Sequence, residues 1–114
     1  MRLNHVALTV ADRERSAAFY GEHFGLVERV HEDEHLLILS APDGSLLALS
    51  EGRPPADLPR TNHFGFQLSS ADEVRAVRRR LHEAGVTETE WQDVGTIRVQ
   101  VADPDGYRVE VFAY

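Results

Sequence analysis

Three side chains that lie far apart in the sequence, His5, His63 and Glu110, are of the types that bind a divalent cation. Glu110 lies in the largely apolar segment YRVEVF at 107–112, where burying an unpaired charge is costly. Two imidazoles and one carboxylate with open coordination positions are typical of catalytic sites for Fe(II), Mn(II), Ni(II) or Zn(II). We therefore predict a divalent metal ion at these three residues.

A second interpretation of Glu110 needs no metal. The carboxylate could lie at a strand edge, or it could pair with Arg98 or Arg108 on the same predicted sheet. Of the remaining histidines, His23 and His82 lie in predicted helices and are expected to face solvent. His31 and His35 flank the acidic turn at 32–34, as a loop feature or a weak surface metal site.

The two candidate histidines occupy equivalent places in an internal duplication. Residues 4–12 read NHVALTVAD and residues 62–72 read NHFGFQLSSAD, which places the histidines 58 residues apart. The turn APDG at 41–44 is repeated as DPDG at 103–106, 62 residues later. Each half is therefore predicted to form the same supersecondary unit. A twofold relation between the halves would make His5 and His63 face a shared cavity.

The hydrophobic periodicity and the turn residues of each half predict the element order βαβββ. The first half predicts strands at 3–10, 26–32, 34–40 and 46–50, with a helix that begins after Asp12 and ends at Gly25. The second half predicts strands at 62–69, 87–92, 96–102 and 107–113, with a helix between the capping box at 70–73 and Gly85. We expect one domain with modules at about 1–51 and 62–114, joined by a proline-rich linker at about 52–61.

Composition excludes several classes of function. The 114 residues include no cysteine, which rules out disulfides, thiolate zinc sites, iron–sulfur clusters and a cysteine nucleophile. Twelve Lys and Arg against 19 Asp and Glu give a net charge of -7, so we expect neither nucleic acid nor an anionic membrane as a partner. No apolar run is long enough to span a membrane and no secretory leader is visible, so we expect a cytoplasmic protein.

Strand alternation predicts which other side chains share the face of the candidate ligands. Arg98 is the residue of this set with a chemical role, because a guanidinium clamps an anionic or carbonyl oxygen of a substrate. The alternative is that Arg98 pairs with Glu90 or Glu110. The full set predicted to line a pocket is Ala7, Thr9, Leu36, Ile38, Ala48, Gln67, Arg98, Gln100, Arg108 and Phe112.

With its paired NH motifs and the segment DPDGYRVEVF at 103–112, the chain resembles the vicinal oxygen chelate superfamily. This superfamily includes glyoxalase I, fosfomycin-resistance thiol transferases, bleomycin-resistance proteins and extradiol dioxygenases. The resemblance covers essentially the whole chain. It implies an α+β fold of two βαβββ modules whose curled mixed sheets surround a shared cavity, the ligands His5, His63 and Glu110, and a homodimer.

The sequence departs from the individual subfamilies. Glyoxalase I takes a fourth ligand from the last strand of the first module, where this chain has Ala48. The fosfomycin transferases carry a threonine where Ala7 stands and a lysine near Glu90. The resemblance therefore does not imply glyoxalase I activity.

The sequence favours a small metal-dependent enzyme that chelates two oxygens of a small-molecule substrate and stabilises an oxyanion or enolate. The reaction class stays open among lyase, isomerase, transferase and dioxygenase, with Glu110 and Arg98 as the candidate catalytic residues. The alternatives are a non-enzymatic protein that sequesters an antibiotic-type small molecule, and a homodimer with a vestigial site. The retained ligands favour the enzyme, whereas the lack of an obvious proton-transfer base favours sequestration.

Overall fold

Local signals in the first half of the chain produce one helix and four strands. The computed structural model describes all residues from 1 to 114 and divides them into two units, 1–56 and 57–114. The elements of the first unit are β1 (His5–Val10), α1 (Arg13–Phe24), β2 (Glu28–Glu32), β3 (Leu37–Ser40) and β4 (Leu46–Glu51). Its sheet has the order β1-β4-β3-β2, with β1 parallel to β4.

The second unit repeats the arrangement. Its elements are β5 (Phe64–Gln67), α2 (Ala71–Glu83), β6 (Glu88–Val94), β7 (Thr96–Ala102) and β8 (Arg108–Ala113). The sheet order is β5-β8-β7-β6, and β5 runs parallel to β8. The α+β fold of two βαβββ modules is thereby confirmed.

Capping residues explain where the helices begin and end. The side chain of Asp12 accepts a hydrogen bond from the backbone N–H of Arg15 at 3.1 Å, and Gly25 ends α1 with φ 74°. The Ser70 hydroxyl accepts from the backbone N–H of Glu73 at 3.2 Å, as the capping-box motif predicts. Helix α2 ends at Glu83, and Gly85 follows with φ 76°, a conformation that favours glycine.

One face of each sheet forms the core. In the first unit the inward residues include Leu8 and Val10 of β1, together with Tyr20 of α1, which is fully buried. His23 of α1 is also buried, contrary to the expectation that it faces solvent, and its ring packs against that of Phe19. In the second unit Val99, Val101, Val109 and Val111 are buried with Val74 and Leu81 of α2. The opposite face of each sheet carries the candidate site residues.

Several strands are shorter than predicted: β1 begins at His5 and β2 at Glu28, and hydrogen bonds explain the later starts of β3 and β5. Strand β3 begins at Leu37, not at 34, because the Asp33 carboxylate accepts the backbone N–H groups of His35 and Leu36 and forms a turn there. Leu36 therefore lies before the strand. Strand β5 begins at Phe64 because a turn bond from Asn62 to the Pro59 carbonyl, 3.0 Å, precedes it.

Both outer strands contain a β-bulge at equivalent positions. In β2 the pairing with β3 shifts between Arg29 and His31, so Val30 is the extra residue. In β6 the pairing with β7 shifts between Glu88 and Glu90, so Thr89 is the extra residue. A bulge changes which face the following side chains occupy. No helix in the structure is long and apolar enough to cross a membrane.

Candidate functional site

Sheet register brings several polar residues of the second unit into one row. Glu110 of β8 lies between Gly65 of β5 and Gln100 of β7, and Gln100 in turn pairs with Glu90 of β6. Arg98 lies two residues before Gln100 on β7 and pairs with Phe112. Residues two positions apart on a strand share one face of the sheet, so Glu90, Arg98 and Glu110 converge there.

His63 lies one residue before β5 and approaches this group with one ring atom. Its Nε2 lies 3.5 Å from Oε2 of Glu110, and its Nδ1 lies 2.8 Å from the carbonyl oxygen of Thr61. A carbonyl only accepts hydrogen bonds, so Nδ1 carries a proton. Nε2 is the ring nitrogen that faces the Glu110 carboxylate.

Arg98 bridges two carboxylates with one nitrogen. Its Nη1 donates to Oε2 of Glu90 at 3.0 Å and to Oε2 of Glu110 at 3.1 Å. The hydrogen bond from Arg98 is the largest cause that lowers the pKa of Glu90, partly offset by desolvation. The pairing that the sequence left open as an alternative for Arg98 is thus present with both carboxylates.

A second arginine joins the group from the segment before β5. Arg60 donates from Nη2 to Oε1 of Glu90 at 3.2 Å, and its carbonyl accepts from Nη1 of Arg108. These side chains border a cavity of about 470 Å³. Its wall is formed by Arg60, Thr61, His63, Glu90, Arg98, Gln100 and Glu110.

Two structural details keep this row in place. Gln100 is 1% exposed, and its Oε1 accepts from the Thr89 hydroxyl at 3.0 Å. Beside Glu110 stands Gly65, where an added Cβ would come within 3.3 Å of the Cβ and the carbonyl oxygen of Glu110. Glycine at 65 therefore leaves the room that the Glu110 side chain occupies.

The corresponding row of the first unit is apolar on β1, β4 and β3 and ends at His31 of β2, which pairs with Ile38. Ala48 of β4 lies between Ala7 of β1 and Ile38 of β3, so Ala48 is the counterpart of Glu110. His5 and Thr9 are exposed on the same face of β1. The amide oxygen of Asn4 lies 3.0 Å from Nδ1 of His5, so this hydrogen bond does not use Nε2.

The structure places the predicted site residues in different surroundings. His63 and Glu110 lie together in the second unit, whereas His5 belongs to the first. Within neither unit does a group of three or more His, Asp or Glu side chains form that could hold a metal ion. Of the remaining predicted lining residues of the second unit, Arg98 and Gln100 are in the cavity wall, and Gln67, Arg108 and Phe112 share the sheet face outside it.

The predicted lining did not include three residues of this wall, namely Arg60, Thr61 and Glu90, although Glu90 was named as an alternative partner of Arg98. Glu90 reaches the cavity through the bulge at Thr89, which strict alternation along β6 does not reveal. Arg60 and Thr61 lie in the stretch interpreted as a linker. Thr61 contacts His63 through its backbone carbonyl, a group that every residue has, so its side-chain type gives no signal in the sequence.

Comparisons with known proteins identify relatives along nearly the whole chain. A family model described as the Glyoxalase/Bleomycin resistance protein/Dioxygenase superfamily matches residues 2–111. The chain is 31% identical over 120 aligned positions to a trivalent organoarsenical cleaving enzyme from Bacillus sp. (strain MD1), covering 98% of this chain and 73% of that enzyme. It is 28% identical to the glutathione transferase FosA from Serratia marcescens, covering 96% and 78%.

A solved structure has the same fold. The structure of a possible glyoxalase from Bacillus cereus matches with a TM-score of 0.81 at 29% identity, and 97% of each chain is covered. Both curated relatives are enzymes that act on small molecules, and the same class of activity is supported for this chain.

Proposed function

Because this chain belongs to the Glyoxalase/Bleomycin resistance protein/Dioxygenase superfamily, we propose that it is a metal-dependent enzyme acting on a small molecule. In this proposal His5, His63 and Glu110 hold one divalent cation of the Fe, Mn, Ni or Zn type. The substrate binds through two oxygens, in the cavity beside Glu110.

The observation that carries the proposal is the pair formed by His63 and Glu110. Nε2 of His63 and Oε2 of Glu110 face each other at 3.5 Å, while the hydrogen bond to Thr61 is made by the other ring nitrogen. Such a pair is unfavourable unless a cation or a proton lies between the two atoms. Two donors that each bind a common cation at about 2.1 Å lie roughly 3.0–3.4 Å apart, which is close to the observed distance.

The hydrogen bond to Thr61 supports the same interpretation. Metal-binding histidines almost always donate their other ring N–H to a carbonyl or carboxylate, which fixes the tautomer and the orientation of the ring. His63 donates in this way to the carbonyl of Thr61, and His5 has the amide oxygen of Asn4 as its partner. The donor chemistry of these residues therefore fits a divalent cation.

In this proposal the cation and the arginines of the cavity have different roles in catalysis. When bound, a divalent cation supplies polarisation of two substrate oxygens and stabilises oxyanion or enolate charge. The hydrogen bonds of Arg98 use Nε and Nη1, so its Nη2 donors remain for a substrate oxygen. Arg60 contributes further positive charge at the mouth of the cavity, where its side chain is 74% exposed.

The activities of the two curated relatives do not transfer directly. Trivalent arsenic is a soft acceptor that favours thiolates, and these 114 residues contain no cysteine. At the place where the resemblance to fosfomycin transferases calls for a lysine, the cavity contains Glu90. We therefore propose an oxygen-chelating substrate distinct from both.

The sequestration alternative fits this cavity less well. A pocket that sequesters a hydrophobic antibiotic is lined mainly by apolar and aromatic side chains. Here the wall contains two carboxylates, two guanidinium groups and an imidazole. A charged wall favours a small polar substrate.

The first test is the metal content of the purified chain. We expect about one divalent ion per chain by mass spectrometry of the metals, and loss of this ion in His5→Ala. The control His82→Ala should keep the ion, because His82 lies on α2 and its Nε2 contacts Oε1 of Glu88 at 3.0 Å, outside the cavity. Equal loss of metal in both variants would show adventitious binding and would contradict the proposal.

A second prediction concerns assembly. We propose that the chain forms a homodimer, because Ile38, Leu46 and Ala48 on the open sheet face of the first unit are only half-buried. Light scattering at micromolar concentration should give twice the chain mass of 12.8 kDa. A single species at the mass of one chain would refute this prediction.

A further inference from the structure

We propose that Arg98 competes with the divalent cation for Glu110, and that Glu90 limits this competition by holding Arg98. The affinity of the site for metal is then set by a pair of residues that are not ligands. This inference rests on the proposed function. Glu90 and Arg98 act on the metal through Glu110, so they are positioning residues in this role.

The first argument is which oxygen Arg98 occupies. Glu110 has two carboxylate oxygens, and Oε2 is the one that lies 3.5 Å from Nε2 of His63. The same Oε2 accepts from Nη1 of Arg98 at 3.1 Å. Arg98 therefore binds the oxygen that would share a cation with His63, rather than supporting the carboxylate from its other oxygen.

The second argument is electrostatic. Glu110 is 12% exposed and Arg98 is 28% exposed, so both charges lie where solvent screens them incompletely. In the absence of a metal the guanidinium supplies the positive charge that the carboxylate needs. A divalent cation at Glu110 would meet the same guanidinium as a like charge, which lowers its affinity.

The third argument is the opposing anchor. The Nη1 atom that reaches Glu110 also donates to Oε2 of Glu90 at 3.0 Å. Glu90 is itself held by Arg60 through Oε1 at 3.2 Å, so its carboxylate has a fixed position. When Glu110 turns to a cation, Arg98 keeps a complete ion pair with Glu90 and its charge stays compensated.

Two substitutions should therefore change metal affinity in opposite directions. Arg98→Met should tighten Mn²⁺ binding by about tenfold or more, because a nearby positive charge and a competitor for Glu110 are both removed. Glu90→Gln should weaken Mn²⁺ binding by about tenfold, because Arg98 is left with Glu110 as its one charged partner. Isothermal titration calorimetry measures both constants directly and needs no substrate.

The double variant separates coupling from simple attraction at a distance. If Glu90 acts through Arg98, most of the loss caused by Glu90→Gln should disappear in the Arg98→Met background. Additive effects would show that Glu90 attracts the cation directly, and would overturn the inference. Arg98→Lys keeps the positive charge and should bind Mn²⁺ more weakly than Arg98→Met; equal tightening in both would also overturn it.

Matched controls exist in the same unit. Arg75 and Asp93 form an ion pair at 2.7 Å between α2 and β6, so Arg75→Met and Asp93→Asn change net charge identically away from the cavity. Both should leave the Mn²⁺ affinity unchanged, and equal shifts in these controls would refute a local role. Failure of the unsubstituted chain to bind Mn²⁺ would instead refute the proposed function itself.

Discussion

Replacing Glu110 by glutamine should lower the affinity for divalent cations by more than the roughly 10- to 100-fold typical of partners outside the ligand set. The amide preserves the shape of the side chain but removes the negative charge that a divalent ion needs. The fold should survive, since Arg98 keeps its ion pair with Glu90 at 3.0 Å. Calorimetric titration with Mn²⁺ and a thermal unfolding curve measure the two effects separately.

A matched control for this substitution is Glu88→Gln. Glu88 is also a partly buried strand carboxylate, 21% exposed, and it pairs with Arg78 at 2.7 Å and with His82. It lies on the helix side of β6, away from the cavity. Its replacement should reduce stability, with the greatest loss above the ordinary glutamate pKa because Arg78 lowers the pKa of Glu88. An unchanged metal affinity in Glu110→Gln would contradict its assignment as a ligand.

The second large effect is the absence of glyoxalase I activity. We expect negligible turnover of the methylglyoxal–glutathione hemithioacetal with Zn, Ni, Co or Mn, because proton transfer between adjacent carbons needs a carboxylate base. Ala48 stands at the strand position equivalent to Glu110, so no second carboxylate is available there. Loss of general-base catalysis costs on the order of 10²- to 10⁴-fold in rate.

Glu90 does not replace the missing base. Both of its oxygens accept hydrogen bonds from arginines, 3.0 Å to Arg98 and 3.2 Å to Arg60. Arg98 also lowers the pKa of Glu90, which makes it a weaker proton acceptor near neutral pH.

One variant should gain some of the glyoxalase activity that the unsubstituted chain is expected to lack. Ala48→Glu should tighten metal binding, since it adds a carboxylate in the first unit at the position of the fourth ligand in glyoxalase I. A trace of isomerase activity in this variant would agree with the argument. Robust glyoxalase turnover by the unsubstituted chain would contradict both the strand comparison and this prediction.

Local signals in the sequence were sufficient for much of the fold. The N-cap Asp12 and the terminal Gly25 mark α1 as predicted, and β7 spans 96–102 as expected. These features depend on neighbours in sequence, so a single chain reveals them. The start of β3 was misplaced because the Asp33 side chain captures two backbone N–H groups, an effect that hydrophobic alternation does not report.

The candidate site could also be predicted only in part. The turn at 103–106 fixes the register of β7 against β8, which correctly placed Arg98, Gln100 and Glu110 on one sheet face. Glu90 was predicted only as an alternative partner of Arg98, and not as part of the lining, because the extra residue Thr89 shifts the alternation of β6. The assignment of His5, His63 and Glu110 as ligands remains a prediction that the metal measurements will test.

The bulge in β6 allows the strand to contain one extra residue without changing which side chains line the cavity. Thr89 is the extra residue, Glu90 after it is in the cavity wall, and Trp91 packs against Arg78 of α2 with 4.1 Å from the guanidinium to the ring centroid. Glu88 and Glu90 pair with the consecutive residues Val101 and Gln100, so deleting Thr89 would restore strict alternation and leave Glu90 on the cavity face of the sheet. The outer strand of the first unit contains the same irregularity at Val30. Both outer strands can therefore gain or lose one residue at this point while the side chains on each sheet face stay the same.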